Sequence, residues 1–154
     1  MKRYIFLDID GVLNTGRNDF LDPERNGHPF DSEAVSNLRR IILQTDARIV
    51  ISSSWRHMGL GRLREMWQRW GLPGDVCGLT PGVWGEDQTF PTRGDEIKAW
   101  LDARPGPVSY VVLDDNNEHV AGQEGRWIIV NPHYGISGDD ADAAVAILNK
   151  RQCQ

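Results

Sequence analysis

The sequence predicts an α/β fold: a doubly wound, Rossmann-like parallel sheet with helices on both faces. Short apolar runs recur along the chain, helix-periodic segments lie between them, and acidic or hydroxyl residues stand directly after several of the runs. Strands that alternate with helices over this length form a parallel sheet, because each crossover returns right-handed to the same sheet. In such sheets ligands bind beyond the carboxyl ends of the strands, and the polar clusters of this chain fall there.

The first run, residues 4–7, ends in Asp8 and Asp10 and is stopped by Gly11, which reads as a buried strand and a tight loop. After a polar stretch, 14–29, Asp31 and Ser32 offer an N-cap, and Val35, Leu38, Ile41 and Ile42 recur at helical spacing. Residues 48–51 form a second strand, ending in Ser52, Ser53 and Ser54. A helix over about 60–70 carries Leu63, Met66, Trp67 and Trp70 on one side, until Gly71, Pro73 and Gly74 stop it. A third short strand, 75–79, leads through a loop rich in Gly, Pro and Thr to a helix over about 94–103. The clearest strand, 108–113, ends in Asp114 and Asp115 and is followed by a weakly helical stretch to about Gly122. A last strand, 127–130, and a helix over 139–149 with Ala141, Val145 and Leu148 as its apolar face complete the chain.

At 154 residues one domain, 1–154, is expected. A hydrophobic content of 40% with 25% charged residues fits an ordinary globular protein. The net charge of -5 argues against broad, sequence-independent binding to nucleic acid, which needs a basic face. Cys77 and Cys153, the only cysteines, have neither disulfide nor zinc spacing, and a reducing cytoplasmic setting fits. Asp8 and Asp10 interrupt the first apolar run too early for a signal peptide, and no run reaches membrane-spanning length.

Four carboxylates at one end of a sheet, Asp8, Asp10, Asp114 and Asp115, repel one another, and their desolvation is unfavourable unless a cation balances them. Carboxylate and carbonyl oxygens suit Mg²⁺, which binds through one or two carboxylates together with a substrate phosphate oxygen. Beside such a cation a carboxylate can attack phosphorus.

These residues lie in segments that resemble the haloacid dehalogenase (HAD) superfamily. FLDIDGVLN, residues 6–14, resembles its first motif; IVISSS, 49–54, its second; and VVLDD, 111–115, its fourth, in the correct order. The resemblance implies that Asp8 is the nucleophile that forms an aspartyl-phosphate. It implies that Asp10 protonates the leaving group and then activates water, and that the chain does phosphoryl rather than halide chemistry. It further implies that the Asp8 carboxylate, the Asp10 backbone carbonyl and Asp114 hold Mg²⁺, with Asp115 in support. Ser52 matches the phosphate-binding hydroxyl, and Ser53 can add a backbone amide. For the basic residue of the third motif, Arg93 in RGDEIKAWL is preferred and Lys98 is the alternative, which otherwise reads as a solvated surface charge.

Both slots in which HAD enzymes insert a cap, residues 14–29 and 80–92, are too short to build a core of their own. A capless site admits the end of a macromolecule, whereas small substrates usually need a lid. FLDIDGVLN, SSSWR, RGDEIKAWL and YVVLDD together resemble capless HAD domains of RNA-repair and polynucleotide end-processing proteins, which implies RNA or DNA ends as substrates. Arg56 with His57, Arg62, Arg64 and Arg69 offers a basic rim, and Trp55 or Trp84 a stacking surface. The plainer reading, arginines on an exposed helix face and tryptophans in the core, stands slightly ahead. His28, His119 and His133 have no spacing that demands a role. A nucleotidase or other small-molecule phosphatase, and a catalytically idle HAD-like binding module, are the alternatives.

Overall fold

A computed structural model describes residues 1–19, 29–82 and 90–150. Its frame is a five-stranded sheet in the order β3-β2-β1-β4-β5. The strands are β1 (Lys2–Leu7), β2 (Arg48–Ile51), β3 (Val76–Leu79), β4 (Val108–Asp114) and β5 (Trp127–Ile129), and every pairing is parallel. The helices are α1 (Gly16–Asp19), α2 (Ser32–Thr45), α3 (Leu60–Arg69), α4 (Arg93–Asp102) and α5 (Gly138–Asn149), and a 3-10 turn spans Ser54–Met58.

Alternation along β1 divides the core in two. Ile5 and Leu7 face a large apolar layer built with Leu38 and Ile41 of α2, Leu63 and Trp67 of α3, and Ala144 and Leu148 of α5. Tyr4 and Phe6 face the other way, onto a smaller layer closed by Ile97 and Trp100 of α4. There the Trp100 ring meets Tyr4 edge-on at 4.8 Å and Phe6 at 5.4 Å, an arrangement that rings prefer to face-to-face stacking. Helices thus cover both faces. No cap domain stands among the described residues, and among them no helix is long and apolar enough to cross a membrane.

The predicted elements all form within a residue or two except one. The stretch after β4, expected to be weakly helical to Gly122, is irregular. Its polar groups are used elsewhere: the Asn116 amide donates to Asp114 Oδ1 (2.9 Å), and the Glu118 carbonyl accepts from the Gly94 amide (3.1 Å). In the other direction, the short helix α1 forms inside a segment read as polar loop. Trp84, His28 and Cys153 lie outside the described residues.

What aligns the site is the way the ladders run one residue past the strands. The Asp8 amide donates to the Leu113 carbonyl (3.0 Å), the Ser52 amide to Leu7 (2.9 Å), the Thr80 amide to Ile51 (3.0 Å) and the Val130 amide to Asp114 (2.8 Å). Asp8, Ser52, Thr80 and Asp114 therefore stand in register along one edge.

Candidate active site

At the end of β1 the chain turns sharply: the Val12 and Leu13 amides both donate to the Ile9 carbonyl (3.1 and 2.9 Å). Gly11 sits in this turn at φ +80°, and a Cβ there would lie 2.6 Å from Asp115 Oδ2. Glycine is required both for that backbone conformation and for the approach of Asp115.

Asp8 and Asp114 are buried side by side, with side chains 7% and 0% exposed. Arg93, the first residue of α4, reaches both: its Nη1 lies 3.2 Å from Asp8 Oδ2 and 2.8 Å from Asp114 Oδ2. The helix can begin there because the Thr92 hydroxyl caps it, accepting from the Asp95 amide at 3.2 Å. Gly94 fits the next position against the Glu118 carbonyl, which leaves no room for a Cβ.

The charges are out of balance. Burial and repulsion from Asp114 push the Asp8 carboxyl from its ordinary 3.8 up to about 8, against the opposing pull of Arg93. Burial also raises Asp114, again opposed by Arg93. For Arg93 burial works against the charge, but Asp114 and Asp8 outweigh it and hold the guanidinium protonated beyond its ordinary value. One guanidinium does not neutralise three carboxylates.

Asp8, Asp114 and Asp115 each offer an oxygen, and these oxygens lie within 4.8 Å of one another. An all-oxygen, anionic donor set with a surplus of negative charge fits a hard divalent cation such as Mg²⁺. The Asp10 carboxylate is not part of this group. Its Oδ1 accepts from Asn14 Nδ2 (2.7 Å) and from the indole Nε1 of Trp55 (3.1 Å).

Ser52 is buried, and its Oγ has no hydrogen-bond partner within the protein, as is also true of Arg56 Nε and Trp100 Nε1; the Ser52 Oγ is free to bond a ligand oxygen or a water. Ser53 is different: its Oγ caps the 3-10 turn by accepting from the Trp55 amide (3.1 Å).

Two predicted site residues point elsewhere. Lys98 is solvent-exposed on α4 and pairs with Asp102 at 2.6 Å; the helix register carries it away from Asp8. Arg56, read as a substrate rim, is turned inward. Its side chain is 12% exposed, pairs through both terminal nitrogens with Glu96 of α4, and donates to Thr80 Oγ1 (2.8 Å). Trp55, half-buried, packs against Phe30 (ring centroids 6.0 Å apart) and donates to Asp10. Beside Asp10 an open recess of about 370 Å³ is lined by Asp10, Gly11, Asn14, Thr15, Gly16, Asp115 and Pro132.

Sequence reasoning missed Asn14 and Trp55 as partners of Asp10. Asn14 sits one short turn along from Asp10 within the first motif, a usable signal; nothing local to Trp55 announced its contact.

The family described as HAD domain in Swiss Army Knife RNA repair proteins matches residues 4–141. No individual curated protein and no solved structure matches the chain.

Proposed function

The chain belongs to the HAD domain family of Swiss Army Knife RNA repair proteins, and from that membership we propose that it is a Mg²⁺-dependent phosphomonoester hydrolase that acts on nucleic-acid ends through an aspartyl-phosphate. The observation that carries the reading is Arg93, which reaches from the first turn of α4 to the buried Asp8 carboxylate while the partnerless Ser52 Oγ stands at the next strand end.

In this reading an Asp8 oxygen attacks phosphorus. The Arg93 fork and the Ser52 hydroxyl receive the phosphoryl oxygens, where fixed donors act without reorganisation. Asp10 gives a proton to the departing oxygen and later takes one from the attacking water. Asp8, Asp114 and Asp115 would hold Mg²⁺, which would supply positive charge beside nucleophile and phosphate.

The substrate class rests on two supports: no cap domain covers the site among the described residues, and the family has an RNA-repair setting. With a net charge of -5, a long-range field does not favour nucleic acid, and recognition would rest on local contacts, at the phosphate end and at the exposed Arg62, Arg64 and Arg69. A second reading, a nucleotidase, is favoured by the recess beside Asp10, whose size and two acidic walls suit a small uncharged leaving group.

The test is turnover of p-nitrophenyl phosphate with and without Mg²⁺, wild type against Asp8→Asn, followed by a 3'-phosphorylated oligonucleotide against mononucleotides. The expected result is Mg²⁺-dependent activity lost in Asp8→Asn, by at least about a hundredfold, and preference for the oligonucleotide. Equal or better turnover of mononucleotides favours the nucleotidase. No activity on any phosphoester overturns both and leaves a binding module.

A further inference from the structure

We propose that Trp55 and Asn14 are positioning residues that clamp one oxygen of Asp10, so that the other oxygen is presented to the leaving group; this rests on the reading of Asp10 as the proton donor. Asp10 lies on the exposed side of the first turn, where a carboxylate would ordinarily rotate freely. Both donors converge on the same atom, Oδ1, from different parts of the chain: Asn14 Nδ2 at 2.7 Å and Trp55 Nε1 at 3.1 Å.

Each donor is itself fixed. Asn14 Oδ1 accepts from the Gly11 amide (3.1 Å), which locks the side-chain amide so that its nitrogen faces Asp10. The Trp55 backbone is fixed by its N–H, which donates to Ser53 Oγ (3.1 Å), and its indole packs against the buried Phe30 ring. The clamp therefore spans the first strand-end loop and the turn after the second, and it ties the orientation of Asp10 to the loop that carries Ser52.

The chemical consequence lies in the first step. As an Asp8 oxygen forms its bond to phosphorus, the bond from phosphorus to the leaving oxygen breaks, and the proton on Asp10 passes to that oxygen. A poor leaving group depends on this transfer and a good one hardly does. A donor misplaced by a fraction of an ångström therefore costs rate in proportion to the basicity of what leaves. General loss of packing would slow all substrates alike.

The experiment compares kcat/KM for p-nitrophenyl phosphate and for glycerol phosphate, because this ratio reports the steps up to departure of the leaving group. Trp55→Phe keeps an aromatic ring beside Phe30 and removes the N–H together with the second ring of the indole, a loss of packing that would slow both substrates alike. Its kcat/KM is expected to fall about tenfold or more on glycerol phosphate and about threefold or less on p-nitrophenyl phosphate. Asn14→Asp keeps the acceptor for Gly11 but replaces the donor with an oxygen, and it is expected to give the same split. Equal losses on both substrates, or none, in the variants that retain a wild-type melting transition overturn the clamp. If Trp55→Phe does not fold, Asn14→Asp decides. Asp10→Asn is the control for the underlying reading: if it hydrolyses glycerol phosphate like wild type, Asp10 is not the proton donor and the proposed mechanism fails. A damaged Asp10→Asn beside unaffected Trp55→Phe and Asn14→Asp sinks the clamp alone.

Discussion

Arg93 and Lys98 share a helix and a charge, yet their surroundings give them different consequences. Arg93 bridges two buried carboxylates, whereas Lys98 makes a solvated i,i+4 pair. Removing one partner from a buried ion network typically costs about 3–5 kcal/mol, because the remaining charges are left uncompensated. Arg93→Met is therefore expected to lower stability by roughly that order at pH 8 and by less at pH 5, where Asp8, titrating at about 8 with burial and Asp114 as the causes, is protonated. Urea unfolding at the two pH values measures the difference. Lys98→Met should leave both stability and activity at wild-type levels. The sequence narrowed the choice to these two residues and preferred Arg93; its reach depends on where α4 begins. The Thr92 cap with Asp95 is a legible N-terminal signal, and starting the helix at Thr92 rather than Gly94 would have set Arg93 at the strand ends. The partners of Asp10 were less accessible: the contact from Trp55 joins two loops that only the paired strands bring together.

Secondary-structure elements were legible where local chemistry decides them. Asp31 at the start of α2 accepts from the Glu33 and Ala34 amides (3.0 and 3.1 Å), as its position before the apolar stripe predicted. The structure adds that Asp31 also receives Arg17 (2.5 Å) and Thr15 (2.9 Å), which joins α1 to α2. Burial tends to raise the Asp31 carboxyl, but the bonds from Arg17, the Ala34 amide and Thr15 prevail and hold it below the ordinary 3.8. A carboxyl depressed on folding contributes stability above its unfolded pKa and loses it as pH falls through the folded value. Asp31→Asn, which can still cap, is expected to lose about 1–2 kcal/mol at pH 7, a figure reduced for the partial exposure of Arg17. The variant should also unfold less steeply than wild type as pH falls below about 4, in urea titrations across that range. The missed element, the stretch after β4, failed for the converse reason. The Asn116 and Val120 amides turn onto the nearby Asp114 and Gln123 side chains, while the Glu118 carbonyl and carboxylate accept from the Gly94 and Arg93 amides at the start of α4, partners to which a local reading has no access.

For the molecule as a whole, alternation of strand and helix was enough to predict the parallel sheet, but the order β3-β2-β1-β4-β5 rests on pairings between distant segments. That order places β1 at the centre, flanked by β2 and β4, so the carboxylates of two adjacent strands meet. Their crowding makes stability depend on pH and on cations. Asp8 is raised on folding to about 8, by burial and then by Asp114, so the folded chain holds a proton that the unfolded chain gives up. The metal-free protein therefore loses stability as pH rises from the ordinary carboxylate range through about 8. Mg²⁺ that binds only the folded state restores it, and more so at pH 8 than at pH 6. Thermal melts with and without Mg²⁺ measure this, with about 2–4 °C expected per kcal/mol for a chain of this size. In Asp8→Asn the pH dependence should shrink to the part carried by Asp114, which burial also raises.

The inward pair of Arg56 and Glu96 bears on how this protein breathes. Glu96 belongs to the helix that begins with Arg93 and closes the smaller core with Trp100; Arg56 belongs to the turn that follows Ser52. Lifting α4 would uncover Trp100 and at the same moment strip Arg56 of its counter-charge in a site only 12% open to water. Partial opening is thus the least favourable option. The residues that would grip a phosphate are therefore expected to open together, with matching hydrogen-exchange protection in α4 and in the turn over Ser54–Met58 as the measurement.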